Sequence, residues 1–125
     1  MSLHDYFEST KGFGVLATAD SAGAVDAAVY SRPHVVDEQT VAFIMADRLS
    51  HANLQSNPKA AYLFREEGKG YSGKRLFLTK VREETDAAGI NELRRRASCA
   101  QDDEARYLVY FRVDKVLPLI GEGQA

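Results

Sequence analysis

The sequence predicts a mainly antiparallel α+β domain of about six strands closing into a barrel, with one longer and one or two short helices. Short β-prone runs separated by turn residues, with a single sustained helical pattern, predict the class. Apolar residues on both faces of the strands predict closure, because a curled sheet can bury one face and protect its edges. The length of 125 residues predicts a single domain spanning 1–125, large enough for an ordinary hydrophobic core.

Each element follows from local chemistry. Ser2 followed by Asp5 resembles a capping box, so 3–9 is read as a short helix packing Leu3, Tyr6 and Phe7. Gly12 and Gly14 break that pattern, and 13–19 is β-prone. Asp20-Ser21-Ala22-Gly23 supplies turn chemistry, with Gly23 able to take positive φ, and 25–31 returns as a strand. Pro33 ends or kinks that strand, since proline cannot donate to a ladder. After the polar turn 37–39, residues 40–46 read as a strand and 47–56 as a helix with Leu49, Ala52 and Leu54 on one side. Asn57-Pro58 terminates it, because the residue before proline is pushed out of the helical region.

Strands follow at 59–65 and 75–82, joined by a glycine-rich loop at 67–73. The longer helix is 86–100, with Ile90, Leu93, Ala97 and Ala100 as its apolar stripe. The last strand, 105–113, sets Tyr107, Val109, Phe111 and Val113 on one face and Leu108 and Tyr110 on the other. Outer-face apolar residues are then left to a helix or a second copy, so a homodimer is expected on structural grounds.

Composition excludes several function classes. A net charge of −2 gives no global field to draw in nucleic acid, so any anion site must be local. Cys99 is the only cysteine, which rules out an intramolecular disulfide and a cysteine-based zinc cluster and suits a reducing compartment. The opening segment MSLHDYFEST lacks the basic-then-apolar pattern of a signal peptide. The longest strongly apolar run, 41–46, is far below the roughly 18 residues a membrane span requires. A cytoplasmic chain with no nucleic-acid and no membrane partner is the expectation.

Two motifs mislead. Gly68-Lys69-Gly70-Tyr71-Ser72-Gly73 matches the G-x-G-x-x-G fingerprint, and with Lys74 it nearly spells a P-loop. Both motifs require a following helix, and the P-loop a hydroxyl for Mg²⁺ where Arg75 stands; the residues that follow are strand-like. His4, His34 and His51 lack metal-ligand spacing, and no nucleophile–base pair is readable, so no metal and no catalytic residue is assigned. Arg94-Arg95-Arg96 reads as a solvated helix face, with Glu92 spaced to pair with Arg96.

The informative stretch is 41–58, VAFIMADRLSHANLQSNP, where a hydrophobic strand runs into a short helix. The first turn of such a helix offers unpaired N–H groups and the positive end of the dipole, a natural phosphate cradle. Arg48 can give charge-assisted bonds to a phosphate, and Ser50 and His51 add shorter donors. The same residues also read as a plain cap with an exposed arginine, and the residues alone leave both open.

The order FGVLATADSAGAVDAAVYSRP, then TVAFIMADRLSHANLQSNPKAAYLF, then a glycine loop and KRLFLTKV resembles the pyridoxamine phosphate oxidase-like family of FMN-binding split barrels. The resemblance covers about residues 13–81, and the helix ending Asn53-Leu54-x-x-Asn57-Pro58 is its most specific feature. It implies a split β-barrel, flavin mononucleotide (FMN) as cofactor, and a homodimer with cofactor sites at the interface. By position it implies that Val29, Tyr30, Ser31 and Arg32 border the flavin and its ribityl chain. Met45 and Ala46 would present backbone groups, and Arg48, Ser50, His51 and Asn53 would hold the phosphate. Lys74 and Arg75 would add contacts, and Tyr71 would cover the ring; ordinary packing explains Tyr30 and Tyr71 equally well. Many relatives carry lysine where Ser50 stands, this chain has no tryptophan, and its last residues lack the oxidase's basic ending. The oxidase activity itself is therefore not expected.

The resemblance implies an FMN-dependent redox protein, an FMN reductase or small electron carrier serving a small-molecule or protein redox partner. The alternative is a non-catalytic binding module on the same barrel, holding haem, a deazaflavin or a protein partner. Haem would need an axial histidine, and His51 is the one near the proposed cleft.

Overall fold

The computed structural model describes residues 2–68, 70–85 and 106–121. Along the chain these form α1 (Leu3–Ser9), β1 (Gly12–Ala19), β2 (Val25–Tyr30), β3 (His34–Asp37) and β4 (Thr40–Ala46). Then come α2 (Leu49–Ser56), β5 (Lys59–Glu66), β6 (Gly73–Glu84) and β7 (Arg106–Pro118). The seven strands make one antiparallel sheet in the order β2-β1-β5-β6-β7-β4-β3. Among the described residues no ladder joins the edges β2 and β3, so the sheet curls without closing and the barrel is split.

The curl is driven by what the inner face must bury. Leu16 of β1, Tyr62 and Phe64 of β5, Leu76 and Leu78 of β6, Val109 and Phe111 of β7, and Phe43 and Met45 of β4 feed one core. Phe43 sits ring to ring with Tyr62 at 5.0 Å and with Tyr30 at 5.8 Å, although β4 shares no ladder with β5 or β2. Each fully buried aliphatic or aromatic side chain contributes roughly 1.5–3 kcal/mol by leaving water.

The β1–β2 hairpin is made by its turn. The Asp20 carboxylate accepts from the Ala22 and Ala24 amides, both at 2.9 Å, and Gly23 takes φ 90°. Gly14 faces the core, where a Cβ would lie 2.2 Å from the Tyr62 hydroxyl, so only glycine leaves room for that ring. The hydroxyl reaches the Tyr30 and Ser31 carbonyls at 3.1 and 2.9 Å and pins the end of β2. At the chain's start, Ser2 caps α1 by accepting from the Asp5 amide at 3.1 Å, and Phe7 packs edge-on against Phe64 at 5.2 Å.

Several expectations need correction. The barrel has seven strands where six were expected. The addition is β3, a four-residue strand that starts just after Pro33 and returns through a tight turn to pair with β4. Proline does end β2, but it leaves the next residues free to re-enter a ladder. β6 and β7 run past their expected ends because they pair with each other along their length, Lys74 opposite Pro118 and Glu84 opposite Leu108. The helix expected at 86–100, with Cys99 and Arg94-Arg95-Arg96, lies outside the described residues.

α2 departs most from its pattern. Its buried face is Ser50, His51, Asn53 and Leu54, while Leu49 and Ala52 are exposed. Polar side chains can face inward here because the sheet supplies a partner for each of them.

Among the described residues nothing covers the outer face of β1, β2 and β5. Val29 opposes Val15, which opposes Leu63; beside them Ala27, Ala17 and Ala61 form a second row leading to Phe77. On β2, Val25 is 82% and Val29 73% exposed, with Phe13 and Leu63 also open to solvent.

Candidate functional site

The site is built where β4 hands over to α2. The Arg48 amide donates to the Ala46 carbonyl at 2.9 Å, a tight turn that makes Arg48 the residue before the helix. Its side chain makes no capping bond, and the first turn contains no acid, so no residue within the helix offsets the positive end of its dipole.

Two side chains further along sew α2 to the sheet. Asn53, 5% exposed, donates through Nδ2 to Thr18 Oγ1 of β1 at 3.0 Å. His51, 7% exposed, lies flat against Tyr107 of β7 at 3.9 Å between ring centres. Its Nε2 is 3.0 Å from Glu83 of β6, and its Nδ1 is 3.7 Å from Asp47. Glu83 also receives Lys80 at 2.6 Å and Gln55 at 3.2 Å. Burial alone would raise the Glu83 carboxyl, but hydrogen bonds from Lys80, His51 and Gln55 outweigh it and pull the group down to about 2.

With α2 fixed in this way, its start meets the inner side of β2. Ser50 Oγ donates to Asp26 Oδ2 at 3.0 Å. The Tyr30 hydroxyl joins the same group: burial raises its pKa, a hydrogen bond with Ser50 lowers it, and the Asp26 charge raises it again. The Arg106 and Arg48 guanidiniums exert a smaller lowering pull, which places both within electrostatic reach. Arg106 opposes Ala46 in the β4–β7 ladder, so it stands beside the strand-to-helix turn. Ser50, Asp26 and Tyr30 thus meet at the first turn of α2, with the Arg48 and Arg106 guanidiniums within electrostatic reach of the Tyr30 hydroxyl, a set of groups able to recognise a phosphate or similar oxyanion.

The expected site residues fall into separate groups. Tyr30, Ala46, Arg48 and Ser50 lie together at this junction. His51 and Asn53 turn inward as anchors, and the Met45 side chain is in the core, its residue opposite Tyr107. Ser31 lends its carbonyl to Tyr62, and Arg32 donates through Nη1 to the Phe7 carbonyl at 2.6 Å at the end of α1. Lys74 Nζ sits 4.7 Å above the Tyr6 ring. Val29 and Arg75 share the outer row through Val15 and Leu63. Arg75 Nε donates to the Pro118 carbonyl at 2.9 Å. Tyr71 is exposed on the β5–β6 loop, with the Arg65 guanidinium 5.7 Å from its ring centre.

That loop leads straight into β6, so the rejected glycine motifs have no helix to serve. Asp26, Arg106 and Glu83 were missed by sequence reasoning; only the strand register brings them to α2. Among the described residues no group of histidine, cysteine, aspartate and glutamate is arranged to hold a metal, and no helix is long and apolar enough to cross a membrane.

No family model and no curated protein matches the sequence. Solved structures do match, at low identity. An FMN-binding protein from Syntrophomonas wolfei superposes with a TM-score of 0.75 at 17% identity, over 95% of this chain and 84% of that one. The chain has the same split-barrel fold. An F420 reductase gives a TM-score of 0.74 at 14% identity, covering 93% and 97% of the two chains. A candidate pyridoxamine 5′-phosphate oxidase from Lactobacillus delbrueckii gives 0.67 at 14%, covering 90% and 88%. At these identities the likeness establishes the split barrel and leaves the function to the site.

Proposed function

We propose that this split barrel is a redox-active, cytoplasmic flavoprotein that binds FMN as a homodimer, as a small FMN reductase or electron carrier. The observation that carries the reading is the β4–α2 junction, where Arg48 precedes the helix, Ser50 lies in its first turn within reach of Tyr30, and Arg106 stands opposite Ala46. The FMN-binding neighbour of the same fold supports it. The donor set suits a phosphate tail: first-turn amides, a hydroxyl and two guanidiniums. Asp26 opposes it by charge.

Bound flavin would supply hydride or electron transfer, so no protein nucleophile is required. Arg48 and Arg106 would neutralise the phosphate, and Ser50 and the first amides of α2 would donate to it. Tyr30, its hydroxyl held protonated by burial, can donate a hydrogen bond at neutral pH. A second copy on the outer face would cover Val25 and Val29 and bring Arg75 and Tyr71 into a shared site.

The test is the visible absorption spectrum of purified protein after FMN addition and desalting. Retained flavin bands are expected; a colourless protein would overturn the reading. The F420 reductase of the same fold favours a deazaflavin as the second reading, checked by the same experiment with F420. Haem has no such support, because the His51 ring is already held by Glu83 and Tyr107.

A further inference from the structure

Asp26 is an acid bonded directly to the first turn of α2, and its charge opposes a phosphate there. It comes from β2, on the inner side of the hairpin, and its carboxylate accepts from Ser50 Oγ at 3.0 Å. Ser50 is 5% exposed and Asp26 is half-buried, so this bond is partly shielded from water. The other nearby acid, Asp47, precedes the helix and lies 3.7 Å from His51 Nδ1 instead. The first turn of α2 has no acid of its own, and the residue before it gives no side-chain cap. A helix start with those vacancies favours a negative charge. In this chain Asp26 already supplies one.

We infer that Asp26 is a specificity residue that weakens the hold of the site on phosphorylated ligands relative to their unphosphorylated forms. The inference rests on the flavin reading above. A phosphate entering the junction would compete with Asp26 for the Ser50 hydroxyl and face like-charge repulsion in a partly desolvated setting. The two guanidiniums near Tyr30 would attract it, and the carboxylate offsets part of that attraction. Riboflavin has the same ring and ribityl chain without the phosphate, so it does not meet this opposition.

The experiment compares FMN and riboflavin by flavin-fluorescence titration of the wild type, Asp26→Asn and Asp26→Ser. Asparagine retains an oxygen that can accept from Ser50 while removing the charge; serine removes charge and bulk together. Thermal melts establish that each variant is folded. The expected result is a small preference for FMN in the wild type that rises by roughly tenfold or more in both variants, with riboflavin affinity little changed. Flavin binding with an unchanged FMN-to-riboflavin ratio would overturn the inference and leave the flavin reading standing, as would weaker FMN binding in the variants. Loss of fold in both would make the carboxylate a structural cap and overturn it too. Failure of the wild type and both variants to bind either flavin would overturn the inference and the flavin reading together.

Discussion

The two faces of β1, β2 and β5 follow opposite rules. Inside, every large side chain has a neighbour: Leu16, Tyr62 and Phe64 are fully buried, and Gly14 is kept small so that Tyr62 fits. Outside, the same strands present Val25, Val29, Phe13 and Leu63 to solvent with nothing from the described chain over them. One strand thus serves a finished interior and an unfinished exterior. The contrast separates residues that make the fold from residues available for association.

The contrast is tested first where it should be strongest. Leu16→Ala, at a site without solvent access, should cost about 2–5 kcal/mol in a denaturant titration, because the hole cannot fill from outside. A cost below about 1 kcal/mol would mean the interior is looser than its packing implies. Asn53→Ala removes the buried donor to Thr18 and should cost about 1–3 kcal/mol, mostly by leaving that hydroxyl unpaired.

Glu83 gives a pH signature of the same interior. Its folded pKa is depressed from 4.5 to about 2, so the stability it contributes is complete above about 4.5 and lost as pH falls toward about 2. Thermal melts across that window should show a decline that Glu83→Gln flattens; an unchanged slope would remove Glu83 from the network. The smallest effect on the isolated protomer belongs outside. Val29→Lys should shift monomer stability by no more than about 0.5 kcal/mol. In sedimentation experiments it should nevertheless move the protein from dimer to monomer, and a wild type that is monomeric throughout would remove the outer face as an interface.

What the sequence disclosed tracks how local the determining chemistry is. The α1 cap, the β1–β2 turn and the end of α2 at Asn57-Pro58 were readable because each rests on a few adjacent residues. β3 was not, since two valines after a proline carry no period until β4 lies beside them. The α2 orientation was misread because its burial depends on Thr18, Asp26 and Glu83, three residues on three different strands. At the candidate site, Arg48 and Ser50 were read from the strand-to-helix pattern, and Tyr30 came only from the family resemblance. Asp26 and Arg106 were not, because their relevance exists only in the register of β1–β2 and β4–β7.

The most direct test of the central claim is FMN titration of the wild type against Arg48→Ala, followed by fluorescence quenching. Arg48 is exposed at the helix start, so its removal should leave the fold intact. The account predicts that the wild type quenches FMN saturably and that the variant binds at least roughly tenfold more weakly, the loss of one charge-assisted phosphate contact. Equal affinity in the two proteins would place the phosphate elsewhere, and no quenching in either would contradict the flavin assignment.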